Sequence, residues 1–220
     1  MAAIGNVDPV LVDQVRVAFE QKCIELLELA CRALKTKKEI NSDWNEENIS
    51  ANIFTYIQES QQSIDADIHI ESEHSFYNQK ILDNKQKARK APRIDMVFQH
   101  NWSGQRITYY VEAKNLVEKD YYRDGRRRPV KSTAIQKRYI ETGIDHFLQG
   151  YYPKGCLLGY VLNGTINGVV DALNVMLVKM DREEEQLAFL AGRDPWLTFC
   201  SNHPAQGIII NHFLFDFQKK

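Results

Sequence analysis

A continuous apolar run at residues 156–162 constrains the fold of this chain more than any other segment. The run is Cys-Leu-Leu-Gly-Tyr-Val-Leu, and it is bounded by Gly155 and Gly164. Its length suits a strand, and its lack of polar alternation indicates that both faces are covered. Such a strand belongs in the interior of a sheet that has helices on both sides, which is the arrangement of an α/β fold.

The pattern around this run predicts further helices and strands. Apolar residues recur at helical spacing over about 9–36, and Asp43 is placed to cap a second helix that ends near residue 61. The other predicted helices cover residues 131–149 and 166–185, and the predicted strands cover residues 64–70, 93–98, 106–114, 156–162 and 207–217. A turn is predicted at residues 101–104, and polar loops at 72–91 and 117–130. This order favours one α/β domain over residues 1–220, with a mixed central sheet flanked by helices and the segment 9–36 as its N-terminal helix.

Composition is that of an ordinary globular protein. Of the 220 residues, 44% are hydrophobic and 26% are charged, and no apolar run reaches the roughly 18 residues of a membrane-spanning helix. The four cysteines form no CxxC pair, so we expect buried free thiols in a reducing compartment and no zinc site. The N-terminus has no pattern of a secretory signal, and we therefore expect a cytoplasmic protein with no membrane partner.

Charged residues occupy two neighbouring predicted strands. Side chains alternate between the two faces of a strand, so Glu112 and Lys114 share one face of their strand, and Asp95 lies opposite Ile94 on the strand before it. Two carboxylates on adjacent strands suit Mg²⁺, which prefers oxygen ligands, and Mn²⁺ is expected to substitute for it. Such an ion polarises a phosphate and lowers the pKa of water, while a nearby ammonium can stabilise the attacking water or the phosphate.

The alternative is a half-exposed hairpin with ordinary surface charges, and an isolated Glu-x-Lys triplet would favour that alternative. An aspartate on one strand, a gap of hairpin length and the triplet on the next strand form a composite motif. In this composite the chain resembles the PD-(D/E)XK, or restriction-endonuclease-like, nuclease superfamily. Asp95, in Arg-Ile-Asp where many members have Pro-Asp, corresponds to the first acidic residue, and Glu112-Ala113-Lys114 corresponds to the (D/E)XK triplet.

The resemblance spans roughly residues 43–162 and implies a specific site. It implies a restriction-endonuclease-like sheet, with Asp95, Glu112 and Lys114 as catalytic residues on the hairpin. It also implies that Asp95 and Glu112 hold the Mg²⁺ ion.

Many members of the superfamily add a glutamate from the helix that precedes the hairpin. Helical periodicity places Glu46 on the inward arc of that helix and Glu47 near its polar edge, although Glu46 can also complete a capping box with Asp43. Gln136 is the candidate for a further polar residue on the helix after the triplet. It lies within the apolar arc of that helix, where a role in the site or a structural hydrogen bond would equally satisfy its amide.

Two locally basic segments flank the motif in a chain whose net charge is −1. They precede Asp95 and follow Lys114, so they can line a cleft that tracks the phosphate backbone of DNA, although solvated loops have the same composition. The candidate nucleic-acid-binding residues are Lys90, Arg93, Arg126, Arg127, Arg128 and Lys131.

The sequence therefore predicts a magnesium-dependent endonuclease that acts on DNA, and the resemblance implies a setting in restriction, phage defence or DNA repair. Two alternatives stay open: a catalytically silent nucleic-acid-binding or assembly subunit that keeps the fold, and a ribonuclease. Little of the chain is left for a separate sequence-reading domain. We therefore expect a homodimer or a partner specificity subunit, and the helix over 10–34 is one possible contact surface.

Overall fold

A computed structural model describes residues 8–75, 82, 83, 87, 91, 93–125 and 127–218 of the chain. Within these residues the core is one mixed sheet of seven strands in the order β1-β2-β3-β4-β7-β6-β5. The strands are β1 (His69–Ser75), β2 (Arg93–Trp102), β3 (Gln105–Val117), β4 (Gly155–Asn163), β5 (Ala188–Arg193), β6 (Trp196–His203) and β7 (Ile208–Asp216). The helices are α1 (Pro9–Lys37), α2 (Glu46–Glu59), α3 (Gln61–Asp65), α4 (Ser132–Arg138), α5 (Asp145–Leu148) and α6 (Ile166–Lys179).

Strand β4 lies at the centre of the sheet, as the apolar run predicts. It pairs in parallel with β3 on one side and with β7 on the other, and its seven central residues are buried. The close packing explains the glycine in the middle of the run, because a Cβ atom at Gly159 would lie 2.3 Å from a methyl group of Leu214 and 2.6 Å from one of Leu116. The prediction of a strand buried on both faces is confirmed.

Helices cover both faces of the sheet. On one face, α1 and α2 pack their apolar residues, such as Leu27 and Ile53, against Phe98 and Tyr109 of the sheet. On the other face, α6 and the segment between α4 and α5 pack against strands β4 and β7. The predicted mixed sheet flanked by helices is therefore confirmed. None of the helices within the described ranges combines the length and the apolar character that crossing a membrane requires.

The hairpin of β2 and β3 is longer than predicted. Its strands pair from Trp102 opposite Gln105 to Met96 opposite Val111, and Ser103 and Gly104 alone form the turn. Both turn residues have positive φ, +49° and +79°, which is the backbone conformation that two-residue hairpin turns require. The tight turn lets the strands continue through residues that the sequence analysis assigns to a loop.

The strand predicted at residues 64–70 is wrong in its first half. Ser60 accepts a hydrogen bond from the backbone N–H of Ser63 and starts the short helix α3, which continues to Asp65. Strand β1 begins only at His69, and it extends to Ser75 within the predicted loop at 72–91. The weak alternation of the segment did not reveal the helix cap that precedes it.

Two predicted helices differ from the structure. The helix predicted over 131–149 consists of α4, a π-helical segment (Tyr139–Ile144) and α5. The helix predicted over 166–185 ends at Lys179, since Asp181 has a φ of +56° and a separate 3-10 turn (Glu183–Glu185) follows. Strands β5 and β6, between this turn and β7, were not predicted at all. The last predicted strand, at 207–217, matches β7 to within one residue at each end.

The four cysteines are free thiols; those in α1 and β4 are buried, as predicted, whereas Cys200 of β6 is only partly buried. Burial raises the pKa of the Cys156 thiol to about 12, so that this side chain stays a neutral part of the core.

A chain of buried polar side chains connects the helical layer to the last strands. The Tyr139 hydroxyl lies 2.8 Å from Nδ1 of His212, and Nε2 of His212 lies 2.8 Å from Oγ of Ser201. The same Oγ lies 2.7 Å from Nε2 of His203, whose Nδ1 lies 2.7 Å from a carboxylate oxygen of Glu185. Because the carboxylate accepts only, every contact is satisfied when Tyr139 donates to His212, His212 to Ser201, Ser201 to His203 and His203 to Glu185, with both imidazoles neutral.

This chain of hydrogen bonds predicts a loss of stability in acid. Burial lowers the pKa of His212 to about 3, so the folded protein keeps this imidazole neutral where an unfolded histidine takes up a proton. The contribution of His212 to the free energy of unfolding should therefore fall by up to about 1.4 kcal/mol per pH unit below roughly pH 6. Urea denaturation of the parent and of His212→Asn should show a difference that narrows as the pH decreases. The control Gln58→Asn, a change between two groups that do not titrate at an exposed position of α2, should show a difference independent of pH, and a parallel pH profile for His212→Asn would contradict the prediction.

Candidate active site

The candidate site lies where the pairing of β2 with β3 ends. Beyond Val111, β3 continues for six residues to Val117 while β2 separates from it. The backbone N–H groups of residues two apart point to the same edge of a strand, so those of Ala113 and Asn115 both point to the edge that β2 has left. Carboxylates take the place of the missing strand: Oδ2 of Asp95 accepts from Ala113 N at 2.7 Å, and Oε2 of Glu46 accepts from Asn115 N at 3.0 Å.

The ammonium group of Lys114 lies among three carboxylates. It donates to Oε1 of Glu112 in a short hydrogen bond, and its Nζ lies 3.5 Å from Oε1 of Glu46 and 3.8 Å from Oδ2 of Asp95. It also donates to the carbonyl oxygen of Ala113 at 2.8 Å. Glu112 and Lys114 are each only 4% exposed, which is unusual for charged residues and indicates that their mutual contacts hold them there.

The predicted side of β2 needs one correction. Met96 and Phe98 pack on the α1–α2 face, as expected, whereas Ile94 packs with Val97 on the opposite face. The alternation of side chains between the two faces of β2 is broken next to Asp95. On the neighbouring strand β1, Glu73 lies between the residues that pair with Met96 and Ile94, and its φ is +50°. This irregularity accompanies the separation of β2 from β3, at the place where the carboxylate of Asp95 reaches the main chain of β3.

Of the two candidate glutamates on α2, the structure brings Glu46 into the site and leaves Glu47 exposed. The predicted cap is wrong, because α2 begins at Glu46 with Asn45 as its N-cap residue. Asp43 instead accepts a hydrogen bond from the backbone N–H of Asp124, at 3.3 Å. Glu46 is therefore not engaged in a capping box, and its carboxylate contacts Lys114 and Asn115.

Tyr152 contacts the cluster from the side of the sheet that carries α5, and sequence reasoning missed it. Its hydroxyl lies 2.6 Å from the carbonyl oxygen of Arg93, 3.2 Å from Oε2 of Glu112 and 3.4 Å from Nδ1 of His146. These contacts hold one carboxylate oxygen of Glu112 while Lys114 binds the other. Burial, followed by the charge of Glu112, raises the pKa of Tyr152, which therefore stays a neutral hydrogen-bond donor.

A cavity of about 440 Å³ opens beside Lys114 and Glu46. Two arginines that the sequence analysis did not single out line it. Arg138, at the end of α4, lies 3.1 Å from Oε1 of Glu46, and Arg123 is 3.4 Å from the side-chain oxygen of Asn45. Gln136, two residues earlier, projects from a different face of the helix, so helical spacing gave no signal for Arg138.

Gln136 itself is 3% exposed and is turned away from the cluster. Its amide donates to the carbonyl oxygen of Val117 at 3.2 Å, so the described contacts fit a structural glutamine better than a catalytic one.

The predicted nucleic-acid-binding residues occupy separate positions around the site. Arg127 and Arg128 are exposed in the loop after β3. Arg93 lies 3.9 Å from Glu73, and Lys131 lies 2.7 Å from Asp120, so each has an acidic neighbour at the surface. Lys90 and Arg126 lie outside the described residues.

Burial determines the protonation of the acidic residues. It raises the pKa of Glu112 to about 7, against the opposing effect of the Lys114 charge, and it raises the pKa of Asp95 as well. For Lys114, burial would lower the pKa, but Glu112, Glu46 and Asp95 together raise it above its ordinary value. The lysine therefore stays charged. Three carboxylates face two cations, Lys114 and Arg138, so the cluster attracts further positive charge when its acids are ionised.

The donor set of the cluster fits Mg²⁺ in chemical type. The available ligands are carboxylate oxygens, which this ion prefers, and they already surround a cation, the ammonium of Lys114. Within the described ranges, no three His, Cys, Asp or Glu side chains are grouped as a metal site. The predicted site is smaller than such a group, since it has two carboxylates, and Mg²⁺ commonly takes the remainder of its shell from water and substrate.

No protein-family model, curated protein or solved structure matches the chain. The function is therefore inferred from the geometry of this cluster and from the motif that its residues form.

The buried charges predict that the site lowers the stability of the protein. Because the pKa of Glu112 is raised from its ordinary value of 4.5 to about 7, the free energy of unfolding falls as the pH rises between these two values, and the loss is complete above about pH 7. We expect Glu112→Gln, which keeps the shape without the charge, to raise the midpoint of thermal unfolding at about pH 8 in metal-free buffer. The matched control Glu184→Gln, at an exposed position of the 3-10 turn, should leave the midpoint unchanged. A lower midpoint for Glu112→Gln, measured by circular dichroism, would show that its bond to Lys114 outweighs the burial of its charge.

Proposed function

We propose that this chain is a metal-dependent nuclease of the PD-(D/E)XK type that hydrolyses phosphodiester bonds in DNA. The observation that carries the proposal is the buried ammonium of Lys114, held by Glu112, Asp95 and Glu46 at the end of the β2–β3 hairpin. Chain position, strand pairing and charge type all agree with the motif.

The chemistry assigns a role to each residue. Asp95 and Glu112 would hold Mg²⁺, or Mn²⁺ in its place, and the ion would supply Lewis acidity toward the phosphate and lower the pKa of water. Lys114 provides a donor next to these carboxylates, suited to orient the attacking water and to stabilise negative charge that develops on the phosphate. Glu46 adds to the effect of Glu112 in keeping Lys114 charged and fixes the backbone of Asn115, and Tyr152 orients Glu112.

Electrostatics favour a catalytic role over a silent one. Burying three carboxylates around one lysine is unfavourable for folding, and a purely structural core would be better served by apolar side chains of similar size. A silent nucleic-acid-binding or assembly subunit gains nothing from keeping such a cluster, whereas a nuclease uses each of its members. The ribonuclease alternative shares this chemistry and is distinguished only by substrate.

The setting and partners follow from the motif alone. Restriction, phage defence or DNA repair is the context that the resemblance implies, with specificity supplied by a second copy of the chain or by a partner subunit.

Cleavage of DNA in Mg²⁺ is the direct test. We expect the purified chain to cut a labelled DNA oligonucleotide in Mg²⁺ or Mn²⁺ and not in EDTA. Lys114→Ala should lower the rate by about 100-fold or more, since it removes a donor aimed at the reacting phosphate. Asp95→Ala should abolish both cleavage and the rise in melting temperature that Mg²⁺ produces in the parent.

Lys179→Ala, at the exposed end of α6, is the matched control and should cut at the rate of the parent. An undiminished rate in Lys114→Ala would reject the assignment. Cleavage of an oligoribonucleotide in preference to DNA would move the proposal to the ribonuclease alternative.

The loop after β3 yields a separate prediction about binding. If Arg127 and Arg128 contact phosphates, each replacement by Gln should reduce the slope of log K against log salt by roughly 0.7 to 0.9. Fluorescence anisotropy in EDTA, at several salt concentrations, measures this slope without cleavage. Arg193→Gln, on strand β5 at the other edge of the sheet, should leave the slope unchanged. Equal slopes for all variants would make the loop an ordinary solvated surface.

A further inference from the structure

We propose that the cavity beside Lys114 takes one unpaired nucleotide, so that the substrate of this site is single-stranded DNA. The inference rests on the proposed function and names the form of its substrate. It is carried by the size of the cavity, by the depth of the reacting groups and by the chemistry of the cavity wall.

Of the charged cluster, Lys114 and Glu46 line the recess, while Asp95 and Glu112 contact Lys114 without lining it. Lys114 and Glu112 are each 4% exposed, and the side chain of Glu46 is 12% exposed. The recess of about 440 Å³ is within the range of sites for single small ligands, of roughly 300–1,000 Å³. A phosphate must enter this recess to reach the ammonium of Lys114.

The segment that follows β3 forms one wall of the recess and is fixed at several points. Tyr121 and Val130 pair through two backbone hydrogen bonds of 3.2 and 2.7 Å, which close the segment into a narrow loop. Its Asp124 N–H donates to Asp43 before α2, and its Arg123 reaches Asn45. The wall is thus tied to the N-terminal end of the helix that supplies Glu46.

The wall has groups for each part of a nucleotide. Arg123 and Arg138 are planar donors suited to a phosphate, and Val130 and Ile135 offer apolar surface on which a base can lie. The amide of Asn115 lines the same recess. Its nitrogen donates to the carbonyl oxygen of Trp44, whereas its side-chain oxygen is buried and has no hydrogen-bond partner among the described residues. This oxygen is shielded from the recess, so the apolar side chains and the two arginines are the groups that an entering nucleotide meets.

A duplex meets two obstacles at this site. Its bases are paired and stacked, so that none can occupy the recess unless it is first extruded, which requires unpairing and unstacking. A recess of about 440 Å³ holds a single small ligand and not a double helix, so the phosphates of an intact duplex stay outside it. A single strand has neither obstacle, and we therefore expect cleavage of single strands to be faster by about tenfold or more.

Circular substrates give the sharpest comparison because they have no ends. The full chain in Mg²⁺ is offered a single-stranded DNA circle and a covalently closed, relaxed duplex circle of the same sequence, and the rates of linearisation are compared. The single-stranded circle should be cut faster. Equal rates, or a faster rate on the duplex circle, would overturn the inference and leave the proposed function standing.

A substitution that fills the recess tests whether the unpaired nucleotide binds in this cavity. Val130→Trp should lower the rate on the single-stranded circle by about tenfold or more, since the indole takes the space of the base. The matched control Val175→Trp, at an exposed position of α6, should cut at the parental rate. Arg123→Gln is the second variant, with the same expected direction, in case Val130→Trp does not fold as judged by circular dichroism. Parental rates in both recess variants would overturn the inference.

Binding measured without metal separates this inference from the proposed function. The parent in EDTA should bind a labelled 12-nucleotide single strand more tightly than a 12-base-pair duplex, and Val130→Trp should remove that preference. If the parent cuts no DNA but shows this preference, the nuclease proposal fails while the assigned ligand stands. If the parent binds the duplex as tightly as the single strand, the assigned ligand is wrong whether or not the chain cuts.

Discussion

The hydrogen bond from Ala113 N–H to the carboxylate of Asp95 is the contact on which the site depends. It occurs where the backbone hydrogen bonds between β2 and β3 would otherwise continue, so a side-chain carboxylate accepts the bond in place of a backbone carbonyl oxygen. Because β2 separates from β3 there, two backbone N–H groups of β3 donate instead to carboxylates from two elements, Asp95 of β2 and Glu46 of α2. Buried backbone donors must find acceptors, and here the acceptors bring negative charge to one point. Lys114, which projects from the same stretch of β3, is the cation that this charge retains.

The energetic character of the cluster differs from that of the rest of the protein. In the sheet, as at β4, apolar side chains meet helices on both faces, and in the hydrogen-bonded chain from Tyr139 to Glu185 each polar group has its partner. At the candidate site, burial raises the pKa of Glu112 and of Asp95, because removal from water disfavours the ionised form of each acid. Raised pKa values of buried acids cluster at functional sites, which is why this cluster is the candidate site.

Sequence patterns predict the parts of this protein that depend on neighbours along the chain. Asp95, Glu112 and Lys114 were assigned to adjacent strands because a short hairpin connects them, and Glu46 was favoured over Glu47 because helical periodicity gives the inward face of α2. Arg138 and Tyr152 were missed because their contacts join residues 92 and 40 positions apart, which no local periodicity encodes. Strand β5 was missed for a different reason, since all six of its residues are exposed and no burial pattern marks it. The cap at Asp43 failed because tertiary contact with Asp124 replaced a local one.

The N-terminal end of α2 joins the charged cluster to the wall of the recess. Glu46, its first residue, contacts Lys114, while Asp43 and Asn45 just before it hold the loop that follows β3. That loop begins directly after Val117, which is six residues beyond the end of the ladder with β2 at Val111, so the chain must fold back close to the site it has just formed. The separation of two strands therefore has two consequences. It exposes backbone donors that gather carboxylates around a lysine, and it places the next loop where it narrows access to that lysine. The burial of Lys114 among carboxylates and the loop that narrows the recess beside it both follow from the same irregularity in the sheet.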